Sequence, residues 1–412
     1  MNKFYGYLDD FEMYDDILIE CIKEAYELLF ESNDMESTLD KIKHALKPAT
    51  GLYLVGGAVR DEILGNSNKD IDILVTGMEI SDIVEALKPI SSHVGMEGES
   101  FSAVKAKIDN EDFDFVIPRT EQSTGTGHKD FKVVGDPFLS PEKDAGRRDF
   151  TMNAIMKNLR TGEIFDPTGG LNDIKDKRIR AVGNAQERFS EDPLRMLRAL
   201  QFASRMNFNI SDETLASIKE NGYLLNTIAK ERIFEEFNKA FSKSSSTEKL
   251  IELLDVTGIG YILFGEQFSP RNVEFTGLSP DMKKIYGFIA LFIDGGNPSK
   301  MSPTGEYTYF LQLAKNLESN KHPVDYIRSS KDVESVASLK QFFSHDILNK
   351  INKILKMPMT SSQLAVTAEE LMGIGIPQVK LGMVIKSIMK AVYDGNIKND
   401  HDSIISFVKN NM

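Results

Sequence analysis

Two aspartates separated by a single residue, in the segment Lys69–Val75 (KDIDILV), are the first residues whose type and spacing suggest chemistry. Side chains alternate along a strand, so Asp70 and Asp72 would share one face of it. Neighbouring carboxylates repel each other unless a cation lies between them. Such a pair is often only a solvated strand face, but Mg²⁺ prefers carboxylate and phosphate oxygens. Asp114, on a later predicted strand, would supply a third carboxylate.

A Gly-Gly turn precedes these acids, in the segment Leu52–Asp61 (LYLVGGAVRD). Gly56 and Gly57 at a strand-to-helix turn would let the backbone approach a phosphate, and Arg60 would add a cation. By itself the pair is more often a tight turn. Beside three acids, it points to phosphoryl transfer with two metal ions roughly 3.5–4 Å apart.

Two adjacent arginines begin the segment Arg147–Ala154 (RRDFTMNA). Arg147 and Arg148 are suited to binding phosphate through paired hydrogen bonds. They are equally consistent with a surface cluster of salt bridges, which is the common use of such residues.

A second polar segment, Ser190–Arg198 (SEDPLRMLR), predicts a helix with Ser190 as its N-cap and Pro193 in its first turn. Asp192 and Arg195 would lie three residues apart on one face, with Arg198 a turn further on. These residues make either ion pairs within a capped helix or a base-reading edge. Such an edge would accept a hydrogen bond from an exocyclic amino group and donate one to the adjacent ring nitrogen, a pattern that cytosine and adenine share. UTP and GTP would leave the two protein groups unpaired, which costs binding free energy.

The predicted secondary structure around these residues differs between successive parts of the chain. Residues 11–47 predict acidic amphipathic helices, and short strands alternate with helices from Gly51 to about Ile117. A turn through Asp109 and Asn110 joins two of the strands, and residues 120–146 have the composition of a mobile loop. Helical periods dominate after Phe165, with breaks near 242–247, 295–303 and 329–330.

Composition narrows the classes of protein. The 412 residues are 41% hydrophobic and contain one cysteine, which excludes an intrachain disulfide and a cysteine-rich zinc site. The chain contains no run of about 20 apolar residues, which a membrane-spanning helix would need. The first residues have no targeting pattern, so a cytoplasmic protein is expected. The net charge of −13 is uneven. Residues 1–50 hold 12 Asp and Glu against 5 Lys, whereas 143–205 hold 13 Lys and Arg against 9 Asp and Glu.

Taken together and in this order, the segments resemble the class II tRNA nucleotidyltransferase and bacterial poly(A) polymerase family, from about Leu52 to Glu236. The resemblance implies that Asp70 and Asp72 bind metal and that Asp114 is the third catalytic carboxylate. It further implies a set of nucleotide-binding residues, in which Asp192 and Arg195 read the base: Gly56, Gly57, Arg60, Arg147, Arg148, Asp149, Asn153, Asp192, Arg195 and Arg198.

The resemblance also implies an α+β fold, in which a polymerase-β-like nucleotidyltransferase head, made of a mixed sheet plus helices, precedes an all-helical remainder. The expected division is an acidic helical extension (1–49), a catalytic head (50–180), a helical neck with the base-reading helix (181–245), a helical body (246–330) and a helical tail (331–412). The segment Thr120–Phe131 (TEQSTGTGHKDF) resembles the flexible loop that family members use to switch from C to A.

The function that the resemblance implies is template-independent addition of CCA to tRNA 3′ ends from CTP and ATP, with two Mg²⁺ ions, or Mn²⁺, and release of pyrophosphate. The nearest alternative is a poly(A) polymerase of the same family, although the chain ends without a long basic tail to hold arbitrary RNA. Two further hypotheses are a catalytically silent RNA-binding protein and an enzyme that transfers a nucleotide to a small molecule. Three intact acids argue against the first, and the base-reading helix and long helical half argue against the second.

Overall fold

The chain forms two compact units. A computed structural model describes residues 35–66, 71–97, 103–123, 131–343 and 345–411. The first unit runs from the N-terminus to Arg195 and includes Asn209–Ser217. The second comprises Met196–Phe208 and Ile218–Met412. None of the described helices is long and apolar enough to cross a membrane.

The first unit is built on a mixed sheet. Its described strands are β1 (Gly51–Val55), β2 (Ile71–Thr76), β3 (His93–Glu97), β4 (Ala103–Ile108), β5 (Glu111–Val116), β6 (Arg119–Ser123), β7 (Phe131–Gly135), β8 (Met156–Asn158), β9 (Ile164–Phe165), β10 (Arg178–Ile179) and β11 (Asn209–Ile210). Seven of them form one sheet in the order β3-β4-β5-β2-β1-β8-β9. Within this seven-stranded sheet, β2 and β5 are parallel and the other neighbouring strands are antiparallel.

Helices cover the sheet and make up most of the rest of the chain. The described α-helices are α1 (35–45), α2 (Gly57–Ile63), α3 (Ile80–Leu87), α4 (Pro141–Gly146), α5 (Gly170–Lys175), α6 (Ala185–Glu191), α7 (Leu194–Met206), α8 (Asp212–Asn221), α9 (Lys230–Lys243), α10 (Glu248–Thr257), α11 (Ile259–Phe264), α12 (Pro280–Phe292), α13 (Gly305–Glu318), α14 (Ser330–Ser338), α15 (His345–Lys356), α16 (Ala368–Gly373), α17 (Leu381–Asp394) and α18 (His401–Asn411). A short 3₁₀ turn, Thr151–Asn153, lies between α4 and β8.

The two faces of the sheet pack into different apolar clusters because side chains alternate along each strand. Ile73 and Val75 of β2 join the larger cluster, together with Phe113 and Phe115 of β5. Helices α1 and α3 cover this face, and Ile42 is fully buried there. Leu74, on the opposite face of β2, belongs to a smaller cluster. The described part of the predicted acidic extension therefore packs into the core of the first unit, while residues 1–34 lie outside the described residues.

The predicted strands before Ile117 are present, and β4 and β5 meet in the expected turn. Asp109 and Asn110 have φ values of 49° and 70°, the left-handed conformations that Asn and Asp tolerate in tight hairpin turns.

The prediction of a loop over 120–146 is wrong in part. β6 and β7 pair as an antiparallel hairpin, and α4 follows them. The sequence of β6, RTEQS, contains no apolar residue, so the alternation that marks a strand is absent from it. Residues 124–130, the middle of the predicted switching loop, lie outside the described residues.

The described core of the second unit is helical and rich in phenylalanine. Phe264 contacts the rings of Phe237, Phe268 and Phe292, with ring centroids 5.0–5.6 Å apart. The predicted breaks are confirmed by the helix ends that flank residues 242–247, 295–303 and 329–330.

Candidate active site

Asp72 and Asp114 lie side by side on neighbouring parallel strands. Asp72 on β2 is the register partner of Asp114 on β5. Alternation places both on the face of the sheet where Leu74 and Val116 pack, away from the larger core. Both carboxylates therefore project in the same direction from strands roughly 4.8 Å apart.

The third predicted carboxylate, Asp70, lies outside the described residues, immediately before β2. Over the described ranges, no group of three acidic, histidine or cysteine side chains is arranged to hold a metal ion. The described part of the predicted acid cluster is thus the pair formed by Asp72 and Asp114.

Gly56 joins this acid pair to the arginine segment. It lies between β1 and α2 with φ 72° and ψ −134°, a left-handed conformation that favours glycine. A Cβ atom built on Gly56 would lie 3.5 Å from Oδ2 of Asp72 and 3.4 Å from Nη1 of Arg148. The missing side chain thus leaves open a point that the Asp72 carboxylate and the Arg148 guanidinium both approach. Gly57, the next residue, begins α2.

Arg60 lies in the interior of the first unit rather than on its surface. Its side chain is 4% exposed and forms an ion pair with Asp61 at 2.7 Å. Its Nη1 also donates to Oδ1 of Asn153 at 2.7 Å. Within the described residues, the cation expected to face phosphate is therefore engaged in holding Asn153.

A hydrogen-bonded network surrounds Asn153 and organises the segment RRDFTMNA. The amide Nδ2 of Asn153 donates to Oδ1 of Asp149 at 3.0 Å, and the same carboxylate oxygen accepts from the backbone N–H of Phe150 at 2.8 Å. The backbone carbonyl of Asn153 accepts from Nη1 of Arg148 at 3.3 Å. Predicted nucleotide-binding residues thus contact one another in the first unit.

One buried carboxylate that the sequence analysis did not select binds both arginines. Asp144 of α4 is fully buried and pairs with Arg147 at 2.6 Å and with Arg148 at 3.0 Å. The available signal was its spacing, because residues three and four positions apart meet on a helix. Asp61, the partner of Arg60, is a second buried carboxylate outside the predicted set, and its adjacency to Arg60 in the chain was the available signal.

The predicted single helix over Ser190–Arg198 is wrong, and so is Ser190 as its N-cap. Ser190 lies inside α6, where its hydroxyl donates to the carbonyl of Gln186 at 2.8 Å. Pro193 disfavours a helical conformation at the residue before it, and Asp192 has φ −138° and ψ 99°. Helix α7 therefore starts afresh at Leu194, whose N–H donates to Oδ1 of Asp192 at 3.1 Å.

Arg195 is held in a fixed orientation at the start of α7. Its side chain is 10% exposed, and its Nη1 pairs with Oε2 of Glu191 at 3.0 Å. Its Nη2 donates to the backbone carbonyl of Arg147 at 3.1 Å. The two predicted nucleotide-binding segments thus touch within the first unit. Arg198 falls in the second unit, where its guanidinium lies 5.4 Å from the ring centroid of Phe202.

Two regions of the chain match models of known protein families. Residues 52–180 match the family model of the poly A polymerase head domain, and residues 207–269 match the model described as a probable RNA and SrmB-binding site of polymerase A. The chain is 30% identical over 377 residues to the CCA-adding enzyme of Lactococcus lactis subsp. cremoris. The aligned region covers 87% of this chain and 92% of that protein.

Solved structures show the same fold at lower identity. The crystal structure of the Bacillus stearothermophilus CCA-adding enzyme in complex with CTP has a TM-score of 0.65 and 23% identity, covering 90% of this chain and 95% of that one. The Thermotoga maritima CCA-adding enzyme complexed with tRNA has a TM-score of 0.62 and 18% identity, covering 92% of this chain and 95% of that one. These similarities confirm the predicted α+β fold with a nucleotidyltransferase head and a helical remainder.

Proposed function

This chain belongs to the class II family of CCA-adding enzymes and bacterial poly(A) polymerases, and we propose that it adds CCA to the 3′ ends of tRNA from CTP and ATP. The observation that carries the proposal is the 30% identity to a CCA-adding enzyme over 87% of the chain. The carboxylates of Asp72 and Asp114 lie near Gly56 and Arg148, and this group of residues is suited to nucleotidyl transfer.

The reaction transfers a nucleotidyl group. The 3′-hydroxyl of the tRNA gives up its proton to solvent and attacks the α-phosphorus of CTP or ATP. A phosphodiester bond forms, the bond between the α-phosphorus and its bridging oxygen breaks, and pyrophosphate leaves with that oxygen. Repeating the step with C, C and A completes the end of the tRNA.

Enzymes of this family use divalent metal ions, and we propose two Mg²⁺ ions, with Mn²⁺ as the alternative, held by Asp70 and Asp72, with Asp114 as the third catalytic carboxylate. Asp72 and Asp114 fit such ions because both offer hard oxygen ligands from one face of the sheet. When bound, the ions lower the pKa of the attacking hydroxyl and neutralise charge on the triphosphate.

The nucleotide would be held by the residues around the arginine segment. Arg147 and Arg148 are proposed to bind the triphosphate, with the turn at Gly56 and Gly57 making room for it. Asp149 and Asn153 are proposed to contact the ribose and phosphates. Arg60 supports them through its hydrogen bond to Asn153.

Base selection is proposed to rest on Asp192 and Arg195, with Arg198 one turn further along α7. Arg195 is held by Glu191 and by the carbonyl of Arg147, so its donors are preorganised before a nucleotide arrives. Cytosine and adenine offer the amino group and ring nitrogen that such a pair would recognise. A mispaired UTP or GTP leaves buried polar groups without partners.

The domain division is proposed as an N-terminal extension (1–49), a head (50–180), a neck (181–245), a body (246–330) and a tail (331–412). The family match to residues 52–180 supports the proposed head, and the match to residues 207–269 spans parts of the proposed neck and body. The cytoplasm is the proposed compartment, because the substrates of the reaction are tRNA and nucleoside triphosphates.

The decisive experiment uses a tRNA that lacks its 3′-terminal CCA. The protein is given each nucleoside triphosphate singly and then CTP with ATP, and the products are resolved to single nucleotides. Addition of two C residues and then one A, with no further extension, is expected. A long ladder of A residues would identify a poly(A) polymerase, and no extension under any condition would contradict the proposal.

A further inference from the structure

We propose that Asp144 is a positioning residue that sets both arginines of the RRDFTMNA segment for the triphosphate of the incoming nucleotide. The inference rests on the proposed function, and it concerns a residue outside the predicted site. Asp144 would not touch the substrate. It would act by fixing Arg147 and Arg148 before the nucleotide binds.

The contacts around Asp144 form a fork. Oδ1 accepts from Nε of Arg147 at 2.7 Å and from its Nη2 at 2.6 Å. Oδ2 accepts from Nη2 of Arg148 at 3.0 Å. Each carboxylate oxygen thus holds one guanidinium, and the aspartate is fully buried.

This arrangement offsets two electrostatic costs. Adjacent guanidinium groups repel each other, and a buried carboxylate without partners is strongly destabilising. Arg147 and Arg148 keep 18% and 15% of their side chains exposed, so they remain partly accessible while Asp144 stays buried. One negative charge beneath two positive charges leaves a net positive surface suited to phosphate oxygens.

Each arginine held by Asp144 leads to a different part of the proposed site. Nη1 of Arg148 lies 3.4 Å from the position that a Cβ on Gly56 would take, and Oδ2 of Asp72 lies 3.5 Å from that position. The carbonyl of Arg147 accepts the hydrogen bond from Nη2 of Arg195. Through Arg148, Asp144 is connected to the region of Asp72, and through Arg147 it is connected to Arg195, which we propose to read the base.

The sequence around Asp144 makes this geometry local. α4 is six residues long, with Pro141 in its first turn and Arg147 as its C-cap. Asp144 precedes the two arginines by three and four residues, so the final turn of the helix brings all three side chains together. Nη1 of Arg148, the guanidinium nitrogen not bound to Asp144, donates to the backbone carbonyl of Asn153.

The test is Asp144→Asn, which keeps the side-chain shape and removes the charge. CTP affinity is measured by titration calorimetry without tRNA, and kcat and KM for CTP are measured with tRNA. We expect CTP affinity to fall about tenfold and KM for CTP to rise more than kcat falls, because charge-assisted hydrogen bonds to the arginines are lost. CTP affinity and KM equal to wild type would overturn the inference.

Asp173→Asn is the matched control. Asp173 is 1% exposed, lies in the same unit, and accepts hydrogen bonds from Nε of Arg180 and from the hydroxyl of Thr151. It should lower the melting temperature about as much as Asp144→Asn, with CTP affinity unchanged. If both variants lose CTP affinity in proportion to their melting temperatures, the role of Asp144 is structural and the inference is wrong.

A double-mutant cycle with Arg148→Gln tests whether Asp144 affects CTP binding through Arg148 or through a general loss of structure. If Asp144 acts through Arg148, the losses in CTP affinity should be strongly non-additive. Additive losses would contradict that. If Asp144→Asn does not fold, Asp144→Glu keeps the charge but moves it by one methylene group. Unchanged CTP affinity in Asp144→Glu would overturn the positioning role, and weakened affinity at a retained fold would support it.

The outcomes for the inference and for the proposed function are distinct. The wild-type protein tests the function, since it either adds CCA or does not. Asp144→Asn tests the inference only by comparison with that wild type.

Discussion

Among single residues, four arginines of the proposed site are each held by a carboxylate. Arg60 pairs with Asp61, Arg147 and Arg148 share Asp144, and Arg195 pairs with Glu191. Holding cationic side chains in place before the substrate arrives removes part of the entropy cost of ordering them later.

Asp72→Asn is expected to reduce incorporation of both C and A by about 10²-fold or more, because a neutral amide is a far poorer metal ligand and charge stabiliser. The measurement is single-turnover extension of tRNA with saturating nucleotide. Glu111→Gln is the control, since Glu111 is exposed at the start of β5 and alternates to the opposite face from Asp114. Full activity in Asp72→Asn would refute the metal assignment.

Arg195→Ala should impair the choice of base more than the binding of tRNA. The ratio of kcat/KM for CTP over UTP is expected to fall about tenfold to hundredfold, as one charge-assisted contact is lost. The dissociation constant for tRNA should stay near the wild-type value. Arg178→Ala serves as the comparison, because Arg178 is an exposed arginine of the same unit. Unchanged selectivity in Arg195→Ala would exclude the base-reading role.

At the scale of elements, the turns and helix packing of this chain make predictions that single side chains do not. Gly56 and Gly65 flank the same short helix, α2, and both have φ 72°. They differ in their surroundings. A Cβ on Gly56 would approach Asp72 and Arg148, whereas nothing lies within 4 Å of a Cβ on Gly65.

Gly56→Ala and Gly65→Ala should both lower stability, by about 1–3 kcal/mol, because alanine is strained at positive φ. The loss should be larger at Gly56, whose ψ of −134° lies outside the left-handed helical region. Nucleotide addition should fall sharply only in Gly56→Ala, since its methyl group would occupy the point between the carboxylate and the arginine. Chemical denaturation and extension assays on both variants provide the test. Equal activity in the two variants would argue against a functional opening at Gly56.

Helices α9 and α12 pack closely enough that a glycine is required between them. A Cβ on Gly287 of α12 would come within 2.3–2.6 Å of the ring of Phe241 on α9. Gly287→Ala should destabilise the protein by about 1–3 kcal/mol, because the well-packed interior must shift.

Gly382→Ala in α17 is its counterpart, with nothing within 4 Å of the new Cβ. Alanine favours the helix by up to about 1 kcal/mol, so this change should stabilise. Opposite signs in the two unfolding free energies are expected, and a stabilising Gly287→Ala would contradict the packing described for α9 and α12.

At the scale of the whole molecule, charge is distributed in a way that the net value conceals. The chain carries a net charge of −13, yet residues 143–205 hold 13 Lys and Arg against 9 Asp and Glu. That stretch contains the arginine segment and the turn at Asp192, which we propose to read the base. A phosphate-bearing partner responds to local potential rather than to total charge.

Binding of tRNA is therefore expected to weaken by at least about tenfold between about 50 and about 200 mM KCl, as counterions compete for the phosphates. Fluorescence anisotropy with labelled tRNA across that range measures the slope. If net repulsion dominated instead, added salt would strengthen binding, and that result would overturn the local-charge argument.

How much of this molecule could be foreseen depends on whether a feature is local in the chain. The alternation in KDIDILV, the turn at Asp109 and Asn110, and the Gly-Gly turn after β1 are properties of a few consecutive residues, and the structure has β2, the hairpin and the turn where they were predicted. Pro193 is a local feature too, but it keeps Asp192 out of the helical conformation, so two helices replace the predicted single one.

The α+β class, the order of the segments with chemical groups and the residue types in them could all be read from the chain. Three features required the folded molecule: Asp72 lies beside Asp114, Asp144 holds both arginines, and Arg60 turns inward to Asn153. Backbone geometry and side-chain alternation act between near neighbours in the chain. Strand register and the pairing of buried charges depend on how distant segments fill the same core, and no single segment contains that information.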